Sequence, residues 1–211
     1  MPDSPPHPLT PATAPGSRAG PTTCTQARRP GISAGHSRRS ASLPTQVPSG
    51  AGYLDAGGGT GEHVLMCAGL GLDASGVDLS SAALQAAEEK ARDRGLAARF
   101  LRWDSRKLAD LGDSFGMRLD CGLFHVFNDD DRAAYIDGLR SVTAPGSRYF
   151  MLCFSPQQLG DGGGHVRKVT QDEIKASFAD GWRVDSIEPA TIDITTDPDG
   201  VRAWLTALTR I

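Results

Sequence analysis

The stretch Tyr53-Leu54-Asp55-Ala56-Gly57-Gly58-Gly59-Thr60-Gly61-Glu62-His63 decides how this chain folds. A short apolar run stops at an acid, and a glycine-rich turn leads into residues spaced for a helix. Val64, Leu65, Ala68 and Leu72 fall on one helical face. A turn of this kind, between a first strand and a first helix, lets a ligand approach the backbone beside free amide N–H groups. Two kinds of ligand use the device. A dinucleotide asks for GxGxxG and an acid some 20 residues on. Here the glycines run Gly57, Gly59, Gly61, and Asp55 stands two residues ahead of the first. A carboxylate so placed repels a pyrophosphate and suits a ligand with an ammonium or sulfonium.

Outward from this turn, short apolar runs alternate with helical stretches, the mark of βαβ construction. Strands are expected at residues 51–56, 73–78, 97–103, 119–126, 148–155, 182–189 and 201–209. Helices are expected at 60–70, from Ser80 as N-cap through Arg94 with Gly95 closing it, at 129–142 and at 171–178. The acids Asp129, Asp130 and Asp131 suit the start of a helix. They lack the spaced ligands of a calcium loop. Pro145-Gly146 reads as the turn into the fifth strand. The expected fold class is α/β, a doubly wound, mostly parallel seven-stranded sheet.

Composition divides the chain. Ten of the 14 prolines lie at or before Pro48, and no Phe, Trp or Tyr precedes Tyr53. Residues 1–50 carry five Arg and one Asp, a balance of +4, against −3 for the whole chain. Without aromatics, such a segment cannot bury enough apolar surface to offset the entropy of ordering. It is expected to be disordered, or else an aberrant product of a frameshift or misassigned start. It lacks the amphipathic face of a transit peptide and the apolar core of a secretory signal. Residues 51–211 form the expected domain. A pI near 5.9 argues against a dedicated nucleic-acid binder. No apolar run is long enough to span a membrane. The four cysteines show no metal spacing, and Cys67, Cys121 and Cys153 sit in apolar stretches as reduced thiols would. A cytoplasmic enzyme or binding protein is the expectation, with no metal.

Leu54-Asp55-Ala56-Gly57-Gly58-Gly59-Thr60-Gly61 resembles the first motif of the class I S-adenosylmethionine-dependent methyltransferases. The likeness continues in Gly76-Val77-Asp78-Leu79-Ser80, in Arg102-Trp103-Asp104-Ser105, in Cys121-Gly122-Leu123-Phe124-His125 and in the turn at residues 142–149. It covers residues 51–155. The resemblance implies S-adenosylmethionine as cofactor. It places the amino-acid moiety on Asp55, Gly57, Gly58, Gly59, Thr60 and Gly61, the ribose hydroxyls on Asp78 beside Leu79, and the adenine amino group on Asp104 beside Ser105. Cys121 would line the methyl-transfer cleft, with His125 and Phe124 as candidate substrate contacts. Ionised Asp78, an acceptor through both oxygens, suits a vicinal diol.

Within that class, residues 119–127, 170–174 and 180–184 resemble a small bacterial group related to thiopurine S-methyltransferases. That group carries Phe-Asp before the fourth strand, where Phe115 is followed here by Gly116, and nothing in residues 1–50 matches its aromatic opening. Residues 160–164 would be a loop where a substrate lid could sit. Ser155 and Cys153 have no triad pattern. The expected activity is methyl transfer to a small-molecule nucleophile, a thiol, phenol or amine, by a monomer or weak homodimer. No residue is an obvious base, which favours a thiol, selenol or acidic phenol. Two alternatives stay open: a NAD(P)-binding oxidoreductase, and a cofactor-binding protein inactive for want of a lid.

Overall fold

The computed structural model describes residues 27–28, 52–157, 167–194 and 197–211. Its frame is one sheet with strand order β1-β7-β8-β6-β5-β2-β3-β4. The strands are β1 (Ala27–Arg28), β2 (Gly52–Ala56), β3 (Ala74–Asp78), β4 (Arg99–Arg102), β5 (Phe115–Cys121), β6 (Thr143–Phe154), β7 (Trp182–Ile194) and β8 (Asp197–Arg210). Strands β2 to β6 run parallel, while β8 is antiparallel to both β6 and β7. The seven expected strands are all present, and β1 adds two residues at the β7 edge. The remainder of residues 1–50, and the loop at 160–164, lie outside the described residues. Among the described residues no helix is long and apolar enough to cross a membrane.

The central strands are buried on both faces, as parallel strands covered by helices must be. On β2, Tyr53 faces a cluster with Val64, Cys67, Met117, Leu119 and Phe150. Its neighbour Leu54 faces the opposite cluster, with Tyr135, Leu139, Tyr149, Phe178 and Trp182. The period of two that marks a strand thus divides one apolar run between two half-cores. The first is covered by α1 (Glu62–Gly69) and the second by α3 (Asp129–Val142) and α4 (Gln171–Ser177); α2 (Ser81–Asp93) packs beside β3 and β4.

Side-chain caps fix three helix starts. Ser80 Oγ accepts from Ala83 N at 3.2 Å, and Asn128 Oδ1 accepts from Asp131 N at 2.8 Å. Thr170 and Glu173 form a reciprocal capping box. These starts lie beyond the C-terminal ends of β3, β5 and β6, the edge at which ligands bind in open α/β sheets.

The structure corrects the sequence at three places. Strand β5 begins four residues before the expected 119 and ends at Cys121; Phe124–Val126 is a 3-10 turn. The cause is Asp120, whose Oδ1 accepts from Leu123 N at 2.8 Å and Phe124 N at 3.4 Å and so bends the chain away from the ladder. Residues 143–147 belong to β6, with a register shift against β5 that accommodates Pro145-Gly146. A 3-10 helix at Ser105–Leu111, capped by Asp104 and packed on α3, was not expected at all.

Candidate cofactor site

The glycine turn is held from below by the backbone. Gly57 N and Gly58 N both donate to Val77 O, at 2.9 and 3.0 Å, and Gly61 N donates to Gly58 O at 2.9 Å. Gly57, Gly59 and Gly61 have φ of 77°, 53° and 80°. A Cβ on Gly57 would come within 3.2 Å of Leu123, so the turn and the loop after β5 are in close contact.

Asp78 ties the turn to β3. Its Oδ2 accepts from Gly59 N at 2.9 Å and its Oδ1 from Ser80 N at 2.8 Å. Each oxygen retains a second lone pair for a hydroxyl donor. Leu79, next in the chain, is 58% exposed. An apolar side chain so open beside a polar anchor offers a surface on which a flat ring can lie.

Asp55 is the unusual residue of the site. It is 1% exposed, and neither carboxylate oxygen has a hydrogen-bond donor among the described residues. Its nearest cation is His63, whose Nδ1 lies 3.5 Å from Oδ2. Burial works against a charge on His63, but the neighbouring Asp55, with help from Glu62, holds its pKa above the ordinary value. A buried carboxylate without donors is costly unless a cation reaches it. The unmet acceptors of Asp55 suit the ammonium of S-adenosylmethionine, and the open space in the turn is at Gly59, where a Cβ would meet nothing within 4 Å. Glu62 and Thr60 brace the turn from the other side. Lys90 Nζ reaches Glu62 Oε1 at 2.8 Å and Thr60 O at 3.1 Å. Although burial opposes it, Lys90 and Arg94 hold the Glu62 carboxyl below its usual range.

The remaining sequence candidates divide. Asp104 caps the 3-10 helix, and its carboxylate is chelated by Arg106, with Nη2 2.6 Å from Oδ2; that guanidinium holds its pKa down. Arg106 also reaches Asp131 on α3 at 2.9 Å. Ser105 is buried. Cys121 ends β5 half-buried and is disulfide-bonded, a correction to the expected thiol, whereas Cys67 and Cys153 are free and buried. Phe124 is fully buried, stacked against Phe178 with the Arg132 guanidinium 4.4 Å from its ring centre. His125 lies on Phe154 with ring centres 4.0 Å apart, and its Nδ1 accepts from Phe154 N at 3.2 Å. Burial, reinforced by Arg132, pushes its pKa down to about 4.

Asp120 lies outside the motifs yet organises the loop after β5. Its Oδ2 accepts from the hydroxyls of Tyr135 and Tyr149, both at 3.1 Å, while Oδ1 carries the Leu123 loop. The signal was present: a lone acid within an apolar strand must have partners.

The methyltransferase-domain family model matches residues 54–146. A 2-heptyl-1-hydroxyquinolin-4(1H)-one methyltransferase of Mycobacteroides abscessus is 30% identical over 140 residues, which cover 66% of this chain and 62% of the relative. The chain thus spans under two thirds of that relative's length. A structure solved in a study of the conversion of a disulfide bond into a thioacetal group during echinomycin biosynthesis is 31% identical, with a TM-score of 0.63 and 76% of each chain covered. The magnesium protoporphyrin IX methyltransferase of Synechocystis PCC 6803 with bound cofactor shares the fold at 20% identity. Its TM-score is 0.60, over 77% of this chain and 71% of that one. Sheet order, glycine turn and these matches agree: the chain belongs to the class I S-adenosylmethionine-dependent methyltransferases. S-adenosylmethionine is the cofactor of that family.

Proposed function

We propose that residues 51–211 catalyse methyl transfer from S-adenosylmethionine to a small-molecule nucleophile acidic enough to ionise without a protein base. The observation that carries this reading is the state of His125. It is neutral, and Nδ1 accepts a backbone N–H, so the ring proton sits on Nε2. An imidazole so held is a donor at the cleft wall, not an acceptor for a substrate proton. A thiol or an acidic hydroxyl on a heteroaromatic ring suits such a cleft better than an amine. The name of the quinolone-acting relative and the sulfur chemistry of the echinomycin study support that choice. So does the likeness of residues 119–127 to the thiopurine S-methyltransferase-like group.

The bound cofactor supplies an activated sulfonium methyl. The protein's part is to bind and orient, because alignment at about 3–3.5 Å lowers much of the barrier. In this reading Asp55 takes the ammonium, and Gly57 to Gly61 cradle the amino-acid moiety. Asp78 accepts from the ribose hydroxyls while keeping Gly59 in place. Asp104 must loosen one contact to Arg106 to reach an adenine amino group, and Arg106 retains Asp131 when it does. The 122–126 loop forms the acceptor-side wall, and its contact with Gly57 sets the wall's distance from the cofactor.

The test is a methyl-transfer assay with thiophenol, 4-nitrophenol, a hydroxyquinolone and benzylamine, alongside calorimetry with S-adenosylhomocysteine and NADH. Turnover of the thiol and acidic hydroxyls, with none of the amine, is expected. Turnover of the amine alone would overturn the acceptor class, and binding of NADH in place of S-adenosylhomocysteine would overturn the activity.

A further inference from the structure

The loop after β5 is held at its flanks and at its centre by different means. At the flanks the backbone of β6 holds it. Gly122 N donates to Leu152 O at 3.0 Å, and Phe154 N donates to His125 Nδ1 at 3.2 Å. Gly122, with φ of 93°, turns the chain as it leaves the strand. At the centre stands Leu123, whose Cβ and Cδ2 would both lie 3.2 Å from a Cβ on Gly57. Leu123 thus rests directly on the glycine turn. Its own N–H is met by a side chain: it donates to Asp120 Oδ1 at 2.8 Å, an oxygen shared with Phe124 N at 3.4 Å.

Asp120 is itself held from two sides. Its Oδ2 accepts from Tyr135 on α3 and Tyr149 on β6, both at 3.1 Å, and all three residues are 0% exposed. The Tyr149 ring packs against Phe178 and Trp182, its centre 5.8 Å from each of theirs, and Tyr135 packs against Phe127 at 5.0 Å. A buried carboxylate gripped on one oxygen by two anchored hydroxyls is a fixed point. The other oxygen carries that position to Leu123, and Leu123 carries it to Gly57. Because Asp120 is sealed beneath the loop, it can act on a reaction in the cleft only through the loop.

We infer that Asp120 is a positioning residue for methyl transfer, acting through Leu123 to hold the acceptor-side wall against the glycine turn. The inference rests on the proposed methyl transfer but not on the class of acceptor. Where alignment is the protein's main contribution, a misplacement of about 1 Å can cost about a hundredfold in rate. Asparagine can stand in for the anchor, since its carbonyl accepts from the two amides and its NH2 donates to the two hydroxyls. Alanine removes it.

Turnover is measured with whichever of thiophenol, 4-nitrophenol, a hydroxyquinolone and benzylamine the unsubstituted chain methylates. Calorimetry with S-adenosylhomocysteine and amide hydrogen exchange of the ligand-free protein accompany it. Asp120→Ala should lower kcat at least tenfold, keep S-adenosylhomocysteine affinity within about threefold, and strip exchange protection from the Leu123 and Phe124 amides. Asp120→Asn should restore most of the rate and the protection. Leu123→Ala, which leaves the buried hydrogen bonds in place, should also lower kcat at least tenfold. The double variant should be no slower than the slower single one, because both changes break the same path. A merely structural Asp120 would make the two losses multiply. Should Asp120→Ala fail to fold, Asp120→Leu, similar in shape and without an acceptor, takes its place; should neither fold, Leu123→Ala decides alone. Multiplying losses, protected amides in Asp120→Ala, no rescue by asparagine, or undiminished kcat in Leu123→Ala would each overturn the inference while leaving the proposed function standing. An unsubstituted chain that methylates none of the four acceptors would overturn both.

Discussion

Replacing Gly61 by alanine separates the backbone's demands on the glycine turn from those of the ligand. Gly61 sits at the N-cap of α1 with φ of 80°. An L-residue there meets its own carbonyl, at a cost of about 1–2 kcal/mol. The new methyl group would also lie 2.7 Å from Ala87 Cβ and 2.8 Å from Phe100 Cε1, contacts that force α2 or β4 to move. Overpacking of this kind costs about 1–3 kcal/mol. The two terms together give roughly 2–5 kcal/mol, a large share of the 5–15 kcal/mol typical of a domain. Gly59→Ala is the control. Its φ of 53° carries the same kind of strain, but a Cβ there meets nothing within 4 Å. Only the first, smaller cost applies. In urea, with a slope of about 2 kcal/mol per molar, Gly61→Ala should lower the midpoint by about 1–2.5 M and Gly59→Ala by less than about 1 M. Binding should order the other way relative to stability. In the proposed placement the cofactor's amino-acid moiety approaches through the open space above Gly59, so Gly59→Ala should lose affinity for S-adenosylhomocysteine while staying folded. Equal midpoints for the two variants would refute the steric argument. Undiminished affinity in a folded Gly59→Val would refute the placing of the ligand at the turn.

Asp78→Ala frees the Gly59 and Ser80 amides and, in the proposed placement, removes the acceptor for two ribose hydroxyls; a loss of about 1.5–3 kcal/mol of binding, tenfold or more, is expected by calorimetry. His63 should make cofactor affinity pH-dependent. If the ammonium lies at Asp55 as proposed, the imidazolium competes with it below the raised pKa, so affinity should fall as pH drops through that value, and His63→Gln should flatten the profile. Stability moves oppositely: the folded pKa is raised, so His63 stabilises fully below about 6.5 and loses that contribution as pH rises through the folded value. His125 has the reverse sign. With its pKa pushed down to about 4, it supports the fold above about 6.5 and withdraws roughly 3 kcal/mol as pH falls toward 4. Replacing His125 by Phe should therefore reduce acid sensitivity in a pH series of thermal melts.

What the sequence disclosed depended on how local the determining interaction is. The strand-turn-helix at 52–69 was legible because apolar period and glycine spacing lie within one window. The starts of α2, α3 and α4 were legible for the same reason, each being set by a side chain within three residues. The end of β5 was not. Cys121-Gly122-Leu123-Phe124-His125-Val126 is apolar enough to continue a strand, and the hydrogen bonds that the Leu123 and Phe124 amides donate to Asp120, which stop it, leave no trace in hydropathy. The helix at Ser105–Leu111 was hidden similarly, its Leu108 and Leu111 packing on elements distant in the chain. At the site, Asp55, Asp78 and the glycines could be named from the motif, but not their partners. That Arg106 joins Asp104 to Asp131 on α3, and that His125 accepts a backbone N–H from β6, are long-range facts that follow only from the packed fold.

Asp120 shows why those long-range facts matter to the chemistry. A buried carboxylate is tolerable only with its lone pairs filled, and four donors converge on this one from β6, α3 and the loop after β5. Burial still dominates and pushes its pKa up to about 7. When the carboxyl protonates, a tyrosine hydroxyl can rotate to accept on the Oδ2 side, while Oδ1 continues to hold Leu123 and Phe124. The loop is therefore anchored by an acceptor and not by a charge. Asparagine at this position can supply the same acceptor and donate to the hydroxyls instead. Because Leu123 rests against Gly57, the acceptor-side wall and the cofactor turn share this one support. With cofactor and acceptor placed as proposed, the distance between them would be set by the core hydrogen-bond network around Asp120 that holds the loop, and not by the residues that touch either of them.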